Sequence, residues 1–300
     1  MKVIITLLFV FIAVPVLAHE SHDPTETRVL VIPAAVEKNV VNITQDGTYR
    51  YIKGNGLPDH RTGDFPNRAN PNAISAQLHN YRVPLKPRKA GRATKQDGVV
   101  GVALNGVPFE PGTAECYGRS RGQRGPMHSC EWREEAIVNG QGRLGLDQSN
   151  AHVQPTGAYH YHGVPHGLLS VLPKTDLVHV GYAADGFKMY VSRSGAYKPS
   201  YKLKSGMRSS GPGGGYDGTY TADYVYAASK VGDLDECNGA YAEEIGEYVY
   251  FITEAFPFAP RCLMGQADRS FARKGPGSSG SDGRRLPPRG MKGPPPPRPF

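Results

Sequence analysis

The sequence predicts an all-β fold, mainly antiparallel and sandwich-like, built as one domain with short helices. Three observations predict it. Runs of five to seven residues, rich in β-branched and aromatic side chains, recur between Gly, Pro, Asn and Asp. The 300 residues include 37 Gly and 26 Pro, which favours turns over long helices. Hydrophobic residues are 39% and charged residues 21%, which permits a packed core and excludes a wholly disordered or fibrous chain.

Taken in order, residues 1–18 read as a signal peptide. Lys2 supplies the charged start, Val3 to Val14 is apolar except for Thr6, and Val16-Leu17-Ala18 offers a cleavage site. The run is shorter than the roughly 20 apolar residues that a membrane span needs, so no span is expected once it is removed. Residues 19–44 form a leader with no strong pattern, although Val29 to Ile32 is apolar. The folded domain is expected over 45–265. Within it Thr48 to Ile52 alternates, Val99 to Leu104 runs into the turn signal Asn105-Gly106, and Tyr248 to Thr253 is strongly strand-like. Ala73 to Asn80 and Glu131 to Asn139 are the helix candidates. Ser205 to Gly218 carries six glycines and reads as a flexible loop or insertion. Residues 266–300 hold eight prolines and six glycines with few apolar side chains, the composition of a disordered tail.

The net charge of +8 is unevenly placed. The tail accounts for +6 and the signal peptide for +1, so 19–265 is close to neutral. Composition therefore does not argue for nucleic-acid binding. The basic tail remains a candidate contact for an extracellular polyanion or protein. Export implies an oxidising compartment, in which four cysteines favour two disulfides. Cys116 with Cys130 and Cys237 with Cys262 is the nearest-neighbour pairing. Asn42 heads an Asn-Ile-Thr glycosylation signal.

Five of the ten histidines lie between 152 and 179. In Tyr159-His160-Tyr161-His162 the side chains of a strand alternate faces, so both histidines share one face. If Pro155-Thr156-Gly157 is a three-residue hairpin loop, His152 faces His160 and Asn150 faces His162. A two- or four-residue loop sends His152 to the other face. Three imidazoles suit Cu or Zn better than Mg or Ca. The alternative is a half-buried sheet whose histidines only hydrogen-bond. His166 and His179 are weaker candidates, and His19, His22 and His79 look incidental. Asp185 could support a metal-bound histidine from behind. Asp233, Asp235 and Glu236 read as turn-capping acids. No phosphate loop, His-Glu-x-x-His or nucleophile elbow is present.

Asn150 to Pro155 followed by Ala158-Tyr159-His160-Tyr161-His162-Gly163 resembles the signature of the YHYH domain family. Collinear segments agree: Gly54 to His60, Phe65-Pro66, Asn70-Pro71-Asn72, Gly101 to Phe109, Ala184 to Phe187, Leu234 to Gly239 and Phe256 to Cys262. The resemblance covers about 45 to 265. It departs at Lys188 to Val191 and in the Gly-rich stretch after Ser205. It implies one exported domain, specifies no reaction, and adds His60 to the metal candidates. A weaker likeness is to copper-binding strands of cupredoxin-type oxidases. Gly246 to Tyr250 has the same local shape without histidines, which hints at two similar half-units. A single His-x-His pair argues against multicopper-oxidase chemistry. The expectation is thus an exported Cu- or Zn-binding β domain using His152, His160, His162 and His60, with Asn150 and Asp185 behind them. The competing expectation is a structural or interaction protein of an extracellular matrix without metal.

Overall fold

Short β-branched and aromatic runs become strands here because such side chains fit a pleated, half-buried surface, and turn residues keep many of the runs short. The computed structural model describes residues 38–119, 130–228 and 231–272. Residues 1–18, read above as a signal peptide, the Val29 to Ile32 run, His19, His22 and the chain from 273 onward lie outside them.

An antiparallel three-stranded sheet comes first: β1 (Val41–Gln45), β2 (Tyr49–Gly54) and β3 (His79–Pro84). Strand structure thus begins inside the segment read as a leader, and Asn42 is exposed on β1. β4 (Thr94–Lys95) pairs with the last strand. β5 (Gly101–Ala103) and β6 (Pro108–Phe109) form a hairpin whose turn is the expected Asn105-Gly106. Gly106 takes φ 82° there, a left-handed value that a side chain disfavours. After the small hairpin β7 (Ile137–Val138) and β8 (Gln141–Gly142) come β9 (Ala151–Val153) and β10 (Tyr159–Tyr161). The helix α1 (His166–Val171) leads to β11 (Leu177–Ala183) and β12 (Lys188–Ser192). β13 (Tyr201–Leu203) pairs with β14 (Tyr224–Tyr226), then β15 (Gly239–Ala242) with β16 (Glu247–Phe251). β17 (Cys262–Leu263) returns to β4.

Eight of these strands form one sheet in the order β15-β16-β12-β11-β5-β6-β10-β9. The β6–β10 and β12–β16 pairs are parallel, and the others are antiparallel. The order reads as two copies of one four-strand unit meeting at β5 and β11. In each unit a first hairpin is followed, after a long insertion, by a second hairpin whose return strand lies parallel to the first.

The match extends to hydrogen bonds. Gly106 N donates to Ala103 O and Gly186 N to Ala183 O, both at 2.9 Å. Asp147 N donates to Ala151 O and Asp235 N to Gly239 O, both at 2.8 Å. Asn150 and Asn238 both take positive φ, at 52° and 62°, and their carbonyls accept from His162 N and Phe251 N. The similar half-units hinted at by Gly246 to Tyr250 are therefore present in the structure.

The main core lies along this sheet, with Val102, Phe109, Tyr159, Tyr161, Met189 and Tyr250 fully buried. Both disulfides pair as nearest neighbours, Cys116–Cys130 and Cys237–Cys262. Among the described residues no helix is long and apolar enough to cross a membrane.

The two helix expectations change. Ala73 to Asn80 is not helical: it runs extended into β3, because Ser75 and Gln77 bond across to Gly157 and Asn55. Glu131 to Asn139 is also extended, since Glu134 and Glu135 pair with residues of the second insertion, around Thr219 and Tyr220. The Gly-rich stretch is pinned by the Arg208 guanidinium, which donates to Asp223, Asp217 and Gly213 O. Order also continues past 266. Phe271 stacks on Tyr81 at 4.5 Å, and Asp268 pairs with Arg82 at 2.8 Å.

Candidate metal centre

The β9–β10 hairpin builds the site. Gly157 takes φ 85°, Gln154 N donates to Ala158 O, and the loop is the three-residue Pro155-Thr156-Gly157. His152 then stands opposite His160, and His162 N donates to Asn150 O. A side chain at Gly157 would run into Ser75, so the packing of the 73–77 segment also selects this short loop.

The three imidazoles converge through their Nε2 atoms. His162 Nε2 lies 3.0 Å from His160 Nε2 and 3.1 Å from His152 Nε2. Each Nδ1 faces a backbone carbonyl: Leu144 O at 2.8 Å from His152, Ala158 O at 3.2 Å from His160, and Pro111 O at 3.4 Å from His162. A carbonyl only accepts, so these contacts favour the tautomer with the ring proton on Nδ1 and a lone pair on Nε2, most strongly at His152. Lone pairs at 3.0–3.1 Å with no proton between them repel. Nitrogens bound at 2.0–2.1 Å around a tetrahedral ion stand about 3.3 Å apart, close to these distances. Among the described residues this is the group of His, Cys, Asp and Glu side chains arranged to hold a metal ion.

Electrostatics keep the donors neutral. Burial lowers the pKa of His160 to about 3, helped by the neighbouring His152. Burial also holds His162 well below its ordinary value, followed by the charges of His160 and His152. His152 is lowered less; it is half-buried.

A pH dependence follows. The folded pKa values lie below 6.5, so the native state binds fewer protons than the unfolded one. The stability this contributes is complete above pH 6.5. It is lost as pH falls toward about 3 for His160 and about 4 for His179, which burial also lowers. Each such histidine adds up to about 1.4 kcal/mol per pH unit. Urea midpoints of the metal-free protein are expected to drop steeply between pH 6.5 and 4.5. A flat response in that range contradicts neutral buried histidines.

The tyrosines face the other way. Tyr159 Oη donates to Asp147 Oδ2 at 2.7 Å. Tyr161 Oη accepts from Asn105 at 3.0 Å, which leaves its own proton for His60 Nε2 at 2.7 Å. His60 is therefore not brought to the three histidines: it lies on the tyrosine face of β10, with Nδ1 on Arg61 O. Asp185 is not there either. It occupies in the second unit the place Asn105 holds in the first, and accepts from Tyr250 Oη at 2.7 Å and Gly265 N at 2.9 Å. Asn150 does adjoin His162 through its backbone, while its amide donates to Val164 O. His166 is exposed and sits 3.5 Å from Glu254. His179 donates to Gly181 O.

The second unit serves as an internal control. Tyr248 Oη donates to Asp235 Oδ2 at 2.7 Å, just as Tyr159 does to Asp147. Its counterparts of His152, His160 and His162 are Ala240, Val249 and Phe251, which belong to an apolar cluster with Leu234, Tyr190 and Tyr197. The tyrosines recur in both copies and belong to the scaffold. The histidines occur in one copy, where the other has apolar side chains.

Several contributors were not read from the sequence. Leu144 turns its carbonyl toward His152 from a left-handed φ of 56°, and nothing local announces that. Asp147 was legible in principle. Asp-x-x-Asn occurs at 64–67, 147–150 and 235–238, and the latter two are each followed by a Tyr-x-Tyr strand.

No curated protein and no solved structure matches the chain. The family model described as YHYH protein matches residues 80–265. That match takes in both units of the sheet and the histidine hairpin, and the chain belongs to the YHYH protein family.

Proposed function

We propose that this protein is an exported module that binds one Cu or Zn ion through Nε2 of His152, His160 and His162. The observation that carries the reading is the convergence of three Nε2 lone pairs at 3.0–3.1 Å, each with its Nδ1 proton held by a carbonyl. Imidazole nitrogen suits both metals, and three protein ligands leave one coordination position open. Orientation of the far ring nitrogen is the device by which metal-binding histidines are held in one tautomer. Export is supported by the signal-like residues 1–18 and by the two disulfides. In that setting Asn42, exposed on β1, is a proposed glycan site, and the basic tail is a proposed contact for polyanions or proteins.

The test is metal titration of the purified, demetallated protein by calorimetry with elemental analysis. One equivalent of Zn or Cu per chain is expected. Free metal at about 100 times Kd is expected to stabilise the fold by about 2.7 kcal/mol. A protein that takes up neither metal, or whose unfolding is unmoved by both, overturns the reading.

A further inference from the structure

We infer that the segment leading from β3 into β4 binds an acidic polysaccharide through Lys86, Arg88, Arg92 and Lys95. The site is independent of the metal reading; the choice of an extracellular polymer rests on the export reading above.

Charge placement is the first reason. Residues 86–95 carry five basic side chains and no acid, whereas the rest of 19–265 carries 21 basic and 25 acidic ones. The positive excess of a nearly neutral domain is gathered in ten residues. Lys86, Arg88, Arg92 and Lys95 are all exposed, and among the described residues none forms an ion pair. The acids near the segment are Asp97, two positions beyond Lys95, and Asp233 and Asp235, which share a cleft with Lys89. Asp235 is occupied by Cys237 N, Gly239 N and Tyr248 Oη. Ten residues reach at most about 35 Å, so the four free cations suit a chain of repeated anions.

Fixation is the second reason. Leu85 N donates to Thr48 O at 2.9 Å, and Ala90 N to Met264 O at 2.6 Å. Thr94 and Lys95 pair with Leu263 and Cys262, and Cys262 is bonded to Cys237. Lys89 Nζ lies 3.6 Å from the centroid of the Tyr248 ring, so it fastens the segment and is not counted in the site. Cations on a fixed backbone lose less freedom when a partner arrives.

The partner class follows from the side chains. Arg88 and Arg92 offer planar forks that fit sulfate and carboxylate. The segment holds no aromatic side chain on which a base could stack, and it is not helical, so it has no helix to lay in a duplex groove.

The test is heparin binding by the full chain, read by calorimetry over a series of NaCl concentrations. Saturable binding that weakens with salt is expected. Lys86→Gln, Arg88→Gln, Arg92→Gln and Lys95→Gln together are expected to lower affinity roughly tenfold and to flatten the salt slope by about three, with the urea midpoint unmoved. Two controls lose the same charge elsewhere. One combines Lys53→Gln, Arg61→Gln, Arg68→Gln and Lys202→Gln, all at exposed positions, and the other Arg284→Gln, Arg285→Gln, Arg289→Gln and Lys292→Gln in the tail. Both are expected to bind heparin within about threefold of the parent. An equal loss in the first control shows that net charge alone binds heparin and overturns the site. Loss in the tail control alone overturns it in favour of the tail. Heparin affinity unmoved by the four segment substitutions overturns it outright. Duplex DNA bound more tightly than heparin at the same salt overturns the polysaccharide as partner.

Discussion

Replacing His152, His160 and His162 with Ala, Val and Phe is expected to abolish metal uptake and leave a cooperatively folded protein. These are the residues that the second unit carries at Ala240, Val249 and Phe251, in the same cross-strand pairing with the same flanking tyrosines, although its loop has four residues instead of three. The substitution removes every proposed donor, so the loss of binding should be complete. It also removes the repulsion among three facing lone pairs and the acid sensitivity of the site. Fitting Phe where His162 meets Pro111 carries an overpacking cost of about 1–3 kcal/mol. Relief of that repulsion offsets part of this cost, so stability at pH 7 should fall by at most about 1–3 kcal/mol, while the fall between pH 6.5 and 4.5 becomes shallower. Metal content, urea unfolding and far-UV circular dichroism on one preparation check this. A variant that fails to fold shows that the histidines are structural. A variant that still binds one metal ion places the centre elsewhere.

Asp147→Ala is expected to destabilise the protein by about 3–5 kcal/mol, because one carboxylate serves four donors. Hydrogen bonds to a charged acceptor are stronger than neutral ones, and the truncation leaves Tyr159 Oη and turn N–H groups unpaired. Asp235→Ala should cost a similar amount, since Asp235 accepts from Cys237 N, Gly239 N and Tyr248 Oη in the same way. The two differ in a second readout. Asp147 sets the turn that leads into His152, so its loss should also weaken metal binding. Loss of Asp235, in the unit without histidines, should leave affinity unchanged. Paired denaturation and metal-titration curves separate these outcomes. Equal metal affinity in both variants would show that the turn does not position the ligand.

The two substitutions bear on different layers of one design. Asp147, Asp235 and the four Tyr-x-Tyr residues hold a duplicated hairpin. The histidine cluster lies on one copy of it. Such an arrangement explains how a family signature can combine scaffold and site in six consecutive residues, Ala158 to Gly163. Tyr159 and Tyr161 point into the packed side, and His160 and His162 point to the centre.

Alternation in Tyr159 to His162 settled, without any structure, that His160 and His162 share a face, because a strand has period two. Asn105-Gly106 announced its hairpin, and of the three possible cysteine pairings the expected nearest-neighbour one is formed. The register of His152 was conditional, since one residue more or less in the Pro155-Thr156-Gly157 loop reverses its face. That condition was resolved by distant residues: Ser75 and the 73–77 segment pack on the loop, and Asn70 and Asn72 donate to Val153 O. The two helix candidates failed for the same kind of reason. Their backbone groups find partners in strands and insertions far along the chain, and local periodicity carries no information about such partners. His60 and Asp185 were drawn toward the centre by composition and motif, and the fold places both under tyrosines instead. Sequence alone thus determined which residue types could form a metal site and which two must stand together. Tertiary structure decided that three lone pairs meet, that carbonyls of Leu144, Ala158 and Pro111 hold the opposite protons, and that the tyrosines belong to the scaffold. Periodicity is a property of neighbours along the chain, whereas convergence of donors depends on contacts between segments that only folding brings together.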